Sequence, residues 1–254
     1  MGAALVLEGV GLHYRRGSRH VVVALECVSF ELWPGEVVCV WAQRGRGKTT
    51  LMRVAAGWEK PADGRVWIDG NEPWALSGRN RERLLARRVG WVSCGPPELD
   101  VPVLAHVALP LQFASDGREA TRRAREALVR MGVGECEEQR WASLSDAERA
   151  RVALVRALVR DPALLVVDDL TMLLRGREAD EIAQLLVELA RERELGVLAS
   201  VSSMQESEWS DRLGTLSGGE LLLPPADPGR RLGKVVAFPG ETRAGRNAAG
   251  GVSA

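Results

Sequence analysis

The order of apolar and polar positions divides the chain into alternating elements. Residues 4–14, "ALVLEGVGLHY", alternate apolar and polar side chains as a half-buried strand does. Residues 21–32, "VVVALECVSFEL", continue that pattern until Pro34-Gly35 marks a turn. "EVVCVWA" (36–42) is a continuous apolar run that stops at a glycine-rich loop, and "TTLMRVAAG" (49–57) has helical spacing. "GRVWIDG" (64–70) reads as a short strand. From "GRNRERLLARR" through "TRRAREALVRMG" the signal turns helical and rich in charge, so a helix-rich stretch over roughly 80–145 interrupts the strand-bearing core. Its arginines read as solvated helix faces. A helix over 146–160, a buried strand over 163–169, a helix over 177–193 and a strand over 196–202 follow. From "PPADPGRR" onward there is no periodicity, so 1–223 reads as the folded unit and 224–254 as a mobile tail.

Strands alternating with helices predict an α/β fold with a mainly parallel sheet. The β-rich beginning predicts an added antiparallel layer. At 254 residues the chain is long enough to bury a sizeable core as one large domain or two lobes. Basic and acidic residues balance at 34 each, which gives no support for binding nucleic acid or a polybasic contact with membranes. No stretch approaches the length and apolarity of a membrane span, and the first residues lack a basic leader, so the expectation is a soluble, cytoplasmic chain. Cys27, Cys39, Cys94 and Cys136 match no metal or disulfide spacing, and Cys27 and Cys39 are expected in the core. His13 and His20 are expected to be exposed, and His106 to lie on a helix surface.

The candidate chemistry begins at "WAQRGRGKTT" (41–50). An apolar strand, then glycines, then Lys-Thr, then a helix is the context in which a loop wraps phosphate groups. Its backbone N–H groups form a concave anion site, to which the following helix adds its positive end. Lys48 would reach the β- and γ-phosphates, and Thr49 would take one place on Mg²⁺. Gly45 and Gly47 stand where the backbone must come close. The usual first glycine is Ala42, tolerable where φ stays negative. Arg44 and Arg46 add charge to the loop. Only three lysines occur in the chain, Lys48, Lys60 and Lys234, which makes a lysine inside this loop pointed.

A second cluster, "LSDAERARVALVRALVRDPALLVVDDLT" (144–171), ends an apolar strand at Asp168, where a carboxylate would face the Mg²⁺ of the loop. This segment resembles the ATP-binding cassette (ABC) family, in which "LSGGQ", "RVAIARAL" and an apolar strand ending "DEPT" follow in this order. "VALECVSFELWPGEVVCVWAQRGRGKTTLMRVAAGWEKPADGRVWIDG" is similar to the same family, and "RRVGWVSC" and "HVALPL" look most like its branch of macrolide-exporter and lipoprotein-release ATPases. The resemblance covers about residues 4–222. It implies a P-loop NTPase core of ABC type, an antiparallel β-subdomain and a helical subdomain at about 95–145. It implies ATP and Mg²⁺ as ligands. It also implies a membrane permease as partner, a place at the inner face of the cell membrane, and a second cassette closing head to tail. Tyr14, the only tyrosine, lies where the family stacks an aromatic on adenine. Thr50 belongs to the phosphate-binding set. Ser145 and Asp146 lie in the signature segment that would face a partner's nucleotide.

Five positions depart from the family pattern. The signature reads Leu144-Ser145-Asp146-Ala147-Glu148, where Ser145 and Glu148 make a capping box and the added charge would repel phosphate. Asp169, one methylene shorter, stands in place of the catalytic glutamate and would be a weak general base. Cys94 replaces a glutamine that helps place Mg²⁺ and water. The switch histidine is absent, with Ser202 or Ser203 at its place, and Arg175 stands near the position of an aspartate. The expected function is therefore a Mg-ATP-binding cassette subunit with weak or no hydrolysis. A fully active transport ATPase and a scaffold that binds no nucleotide are the alternatives. The second cassette is either another copy of this chain or a different one, and because a motor with no competent site cannot cycle, the expectation leans to a different, intact chain.

Overall fold

The structure is a computed structural model that describes residues 2–16, 20–93, 95–97, 99–112, 116–169, 174, 176–204 and 207–226. Strands β1 (Leu5–Arg16), β2 (His20–Leu32) and β4 (Asp63–Ile68) form an antiparallel sheet in the order β2-β1-β4. The central sheet contains β3 (Val37–Trp41), β5 (Val89–Ser93), β6 (Leu164–Asp168), β7 (Gly196–Val201), β8 (Arg212–Ser217) and β9 (Glu220–Leu222). Their order is β5-β6-β7-β3-β8-β9, parallel throughout except for β9. The helices are α1 (Lys48–Ala55), α2 (Gly78–Arg88), α3 (Val103–Ala108), α4 (Gly117–Arg130), α5 (Asp146–Leu158) and α6 (Arg177–Glu192). Among the described residues no helix is long and apolar enough to cross a membrane.

The continuous apolar runs are explained by a sheet covered on both faces. Val38 and Val40 of β3 join Leu51, Met52 and Val54 of α1 and the inner face of the antiparallel sheet in one core. Val37 and Cys39, the alternate positions, pack with α5 and α6 in a second core. β6 divides the same way, Leu164 and Val166 against Leu165 and Val167. Each fully buried Val or Leu contributes roughly 1.5–3 kcal/mol. α5 has two apolar sides. Leu154 and Leu158 meet the sheet, while Val152 and Val155 join a third core with Val107, Leu111 and Leu128 from the helical region. Arg212 fastens the two sheets: it donates to Glu36 Oε1 (2.6 Å), to the Glu31 carbonyl (2.5 Å) and to the Pro224 carbonyl (3.1 Å).

Three expectations are corrected. The stretch 80–145 is not helical throughout, because β5 lies inside it and pairs with β6 in the central sheet. Cys27 is exposed rather than in the core. The pairing of β1 with β2 slips between Val10↔Val28 and Leu12↔Leu25, and Cys27 occupies the resulting bulge at φ 52°. A bulge re-aims a side chain that strict alternation would bury. His106 is half-buried, edge-on to Trp141 at 5.9 Å. Burial, aided by Arg156, pushes its imidazole down to about 4. Cys39 is buried and His13 exposed, as expected; the side chain of His20 and the tail from 227 onward lie outside what the structure describes.

Candidate functional site

β3 delivers the glycine loop to the start of α1 at the carboxyl edge of the parallel sheet, where α/β folds place their ligands. Ala42 is 2% exposed and its φ is not positive, so its Cβ is accommodated. Gly47 adopts φ 97°, and a Cβ there would stand 2.5 Å from the Ala24 carbonyl oxygen, so only glycine fits. Gly47 is also the N-cap of α1. The helix has no side-chain cap and no acidic residue in its first turn. Among the described residues, the N–H groups of Gly45 and Gly47 have no acceptor, while Arg46 N–H donates to the Gln43 carbonyl at 3.2 Å. Unpaired donors at a positive helix end make a seat for an anion.

Four side chains from three parts of the chain converge beside this seat. Lys48 Nζ donates to the Val201 carbonyl (2.9 Å) and lies 3.5 Å from Asp169 Oδ1. Ser200, in β7 and 2% exposed, accepts from the Asp169 N–H at 2.8 Å. Its hydroxyl is 3.0 Å from Asp168 Oδ1 and 3.2 Å from Asp169 Oδ1. Asp169 is in the left-handed region at φ 52°, which Asp tolerates better than most residues. Burial raises the Asp168 carboxyl above the ordinary carboxylate range, and Asp169 adds to this. Hydrogen bonds from Ser200 and Thr49 and the charge of Lys48 pull the other way. Asp168 thus meets Thr49. A hydroxyl and a carboxylate are the oxygen ligands that suit Mg²⁺, so the residues present fit that ion. A cleft of about 530 Å³ opens here, lined by Thr49, Arg53, Glu59, Asp168 and the stacked pair Trp58 and Trp91, whose ring centroids are 4.3 Å apart.

Tyr14 reaches the same neighbourhood from β1. Its hydroxyl donates to Glu59 Oε1 (2.5 Å) and is 3.3 Å from Thr50 Oγ1. Burial and then the Glu59 carboxylate raise its phenol. Ser145 and Asp146 are not brought to the loop; their partners are local. Ser145 N–H and Oγ both donate to Glu148 Oε2 at 2.8 Å, and Glu148 N–H donates to Ser145 Oγ at 3.3 Å. The capping box is complete, and Asp146 pairs with Arg149 at 3.0 Å. At the place of the missing histidine, the Ser202 carbonyl accepts from Trp41 Nε1 at 3.2 Å. Cys94 and Arg175 lie outside the described residues.

Sequence reasoning passed over Ser200 and Glu59. A hydroxyl inside the otherwise apolar "GVLASV" (196–201) was the available signal for Ser200. Nothing local marks Glu59, whose partner Tyr14 lies far away along the chain in β1.

A family profile described as ABC transporter matches residues 25–172. The chain is 35% identical over 224 residues to the lipoprotein-releasing system ATP-binding protein LolD of Cereibacter sphaeroides, covering 87% of this chain and 100% of that one. It is 29% identical over 222 residues to the macrolide export ATP-binding/permease protein MacB of Bartonella henselae, covering 87% of this chain and 33% of that one. Among solved structures, a dimeric ATP-binding cassette in a post-hydrolysis state with ADP and Pi is similar at a TM-score of 0.77 and 26% identity, covering 92% of this chain and 100% of that one.

Proposed function

The chain belongs to the ABC transporter family, and on that premise we propose that it is a Mg-ATP-binding subunit of a permease-coupled complex, with slow or no hydrolysis. The observation that carries this reading is the cluster of Lys48, Thr49, Asp168 and Asp169 at the mouth of the glycine loop. Residues 45–50 hold phosphates, Lys48 meets the outer ones, and Tyr14 stands beside the base. Thr49 and Asp168 hold Mg²⁺, which neutralises phosphate charge when bound. The binding set is whole.

The hydrolytic set is weak for physical reasons. Asp169 is the remaining candidate base, yet Lys48 and Ser200 engage it and its stem is short. A misplacement of about 1 Å costs about 10²-fold in rate. No imidazole follows β7. The signature helix satisfies its own N-terminus and adds two carboxylates there, which opposes an approaching phosphate.

The family and the relatives' names support the wider setting. A membrane permease would hold the chain at the inner face of the cell membrane, with residues 95–145 as the helical subdomain that meets it. A second cassette completes the assembly, and the shared defects of two identical chains favour an intact, different partner. Transport of lipoproteins is the substrate class the 35% relative suggests.

Phosphate release from Mg-ATP by the purified chain, beside its Lys48→Ala variant, tests this reading. Background release from both, with a melting temperature raised by Mg-ATP in the native chain alone, is expected, because a ligand that binds only the folded state raises it. Release that vanishes in the variant would instead support a working ATPase, the reading favoured by the carboxylate retained at Asp169. A melting temperature unmoved by ATP would support a scaffold.

A further inference from the structure

We infer that Ser200 is a positioning residue that divides the labour of the two adjacent carboxylates, freeing Asp168 for a divalent cation while keeping Asp169 off it. The inference rests on the Mg-nucleotide reading above and adds a residue to it. A serine hydroxyl has one proton to give and two lone pairs to receive. One lone pair already accepts the Asp169 N–H at 2.8 Å. The single proton stands between Asp168 Oδ1 at 3.0 Å and Asp169 Oδ1 at 3.2 Å, so it serves one carboxylate at a time.

That arrangement has a direction. A cation between Thr49 and Asp168 would occupy the Asp168 oxygens and repel a proton aimed at them. The hydroxyl then turns to Asp169, where the N–H contact already anchors it. Asp169 is held by three partners: its own N–H on Ser200, the hydroxyl, and Lys48 at 3.5 Å. Its left-handed φ of 52° is sustained by them. Without the hydroxyl, two carboxylates on successive residues compete for the same cation and the same lysine. Ser200 sits in a buried strand at 2% exposure, so its rotamer is fixed by packing and water cannot replace it cheaply.

The test compares Ser200→Thr with Ser200→Val, two side chains of one shape, only one of which has a hydroxyl. Ser200→Ala removes the hydroxyl without added bulk and serves if β7 rejects the branched pair. Melting temperatures are recorded without nucleotide, with ATP plus EDTA, and with ATP over a Mg²⁺ titration. The shift given by ATP plus EDTA should persist in every variant. The further rise given by Mg²⁺ should survive in the Thr variant. In the Val or Ala variant its apparent Kd for Mg²⁺ should weaken about tenfold, the size of one lost hydrogen bond. Equal Mg²⁺ dependence in Thr and Val variants, or in the Ala variant and the native chain, makes Ser200 merely structural and overturns the inference. A native chain that Mg-ATP does not stabilise at all refutes the nucleotide reading instead.

Discussion

Two helices of this chain begin beside functional segments and treat their N-termini in opposite ways. α1 starts at Gly47 with no side-chain cap and no acid in its first turn. α5 starts at Ser145 with a complete capping box and both Asp146 and Glu148 in its first turn. Every helix start leaves donors without intrahelical partners and a partial positive charge. α5 spends both on its own side chains, which stabilises the helix and closes it to anions. α1 leaves both open, stabilised instead by the packing of Leu51, Met52 and Val54 between two sheets. That burial holds the uncapped α1, and its open start is where a phosphate has room to bind. The family resemblance assigns both starts to nucleotide contact; the physical chemistry supports that for one of them.

Breaking the open start should have the largest effect. Lys48→Ala should weaken Mg-ATP binding by about 2–5 kcal/mol, upward of about thirtyfold in Kd by calorimetric titration, with the fold unchanged. Ser145→Ala should leave that affinity alone. Gly47→Ala should lower stability by about 2 kcal/mol or more in urea unfolding, since a left-handed Cβ costs roughly 1–2 kcal/mol before its clash with the Ala24 carbonyl. Gly45→Ala has φ 77° with open space around it, and should lose only the backbone share.

At the closed start, Ser145→Ala should cost about 1 kcal/mol of stability, the ordinary worth of an N-cap. The smallest effect concerns acid. The Ser145 N–H, then the Ser145 hydroxyl, hold the Glu148 carboxyl below its ordinary value of 4.5. A depressed carboxyl contributes stability above its unfolded value and loses it as pH falls through its folded one. Glu148→Gln should therefore flatten the stability profile below that value and lower stability by a few tenths of a kcal/mol at neutral pH, within the range of exposed contacts.

The glycine loop, the strand ending at Asp168 and the capping box were all legible because each is a local pattern: residues a few positions apart meet in space. The doubly covered central strands were legible as apolar runs for the same reason. What escaped was set by distant partners. β5 is five residues long, directly follows the charged helix α2, and only its pairing with β6 makes it a strand. Cys27 leaves the core because of a slip in register with β1, which alternation along β2 alone does not encode. Ser200 acts on carboxylates 32 and 31 residues away, so its role exists only once β6 and β7 lie side by side.

The central claim, a chain that holds Mg-ATP and turns it over slowly or not at all, is tested most directly in a single-turnover experiment. Limiting γ-labelled ATP is mixed with excess protein and Mg²⁺, and the retained nucleotide is quenched and resolved over minutes to hours. The account predicts nucleotide retained on the protein as intact ATP, with retention lost in Lys48→Ala. Rapid conversion of the bound nucleotide to ADP and phosphate, or no retention by the native chain, would contradict it.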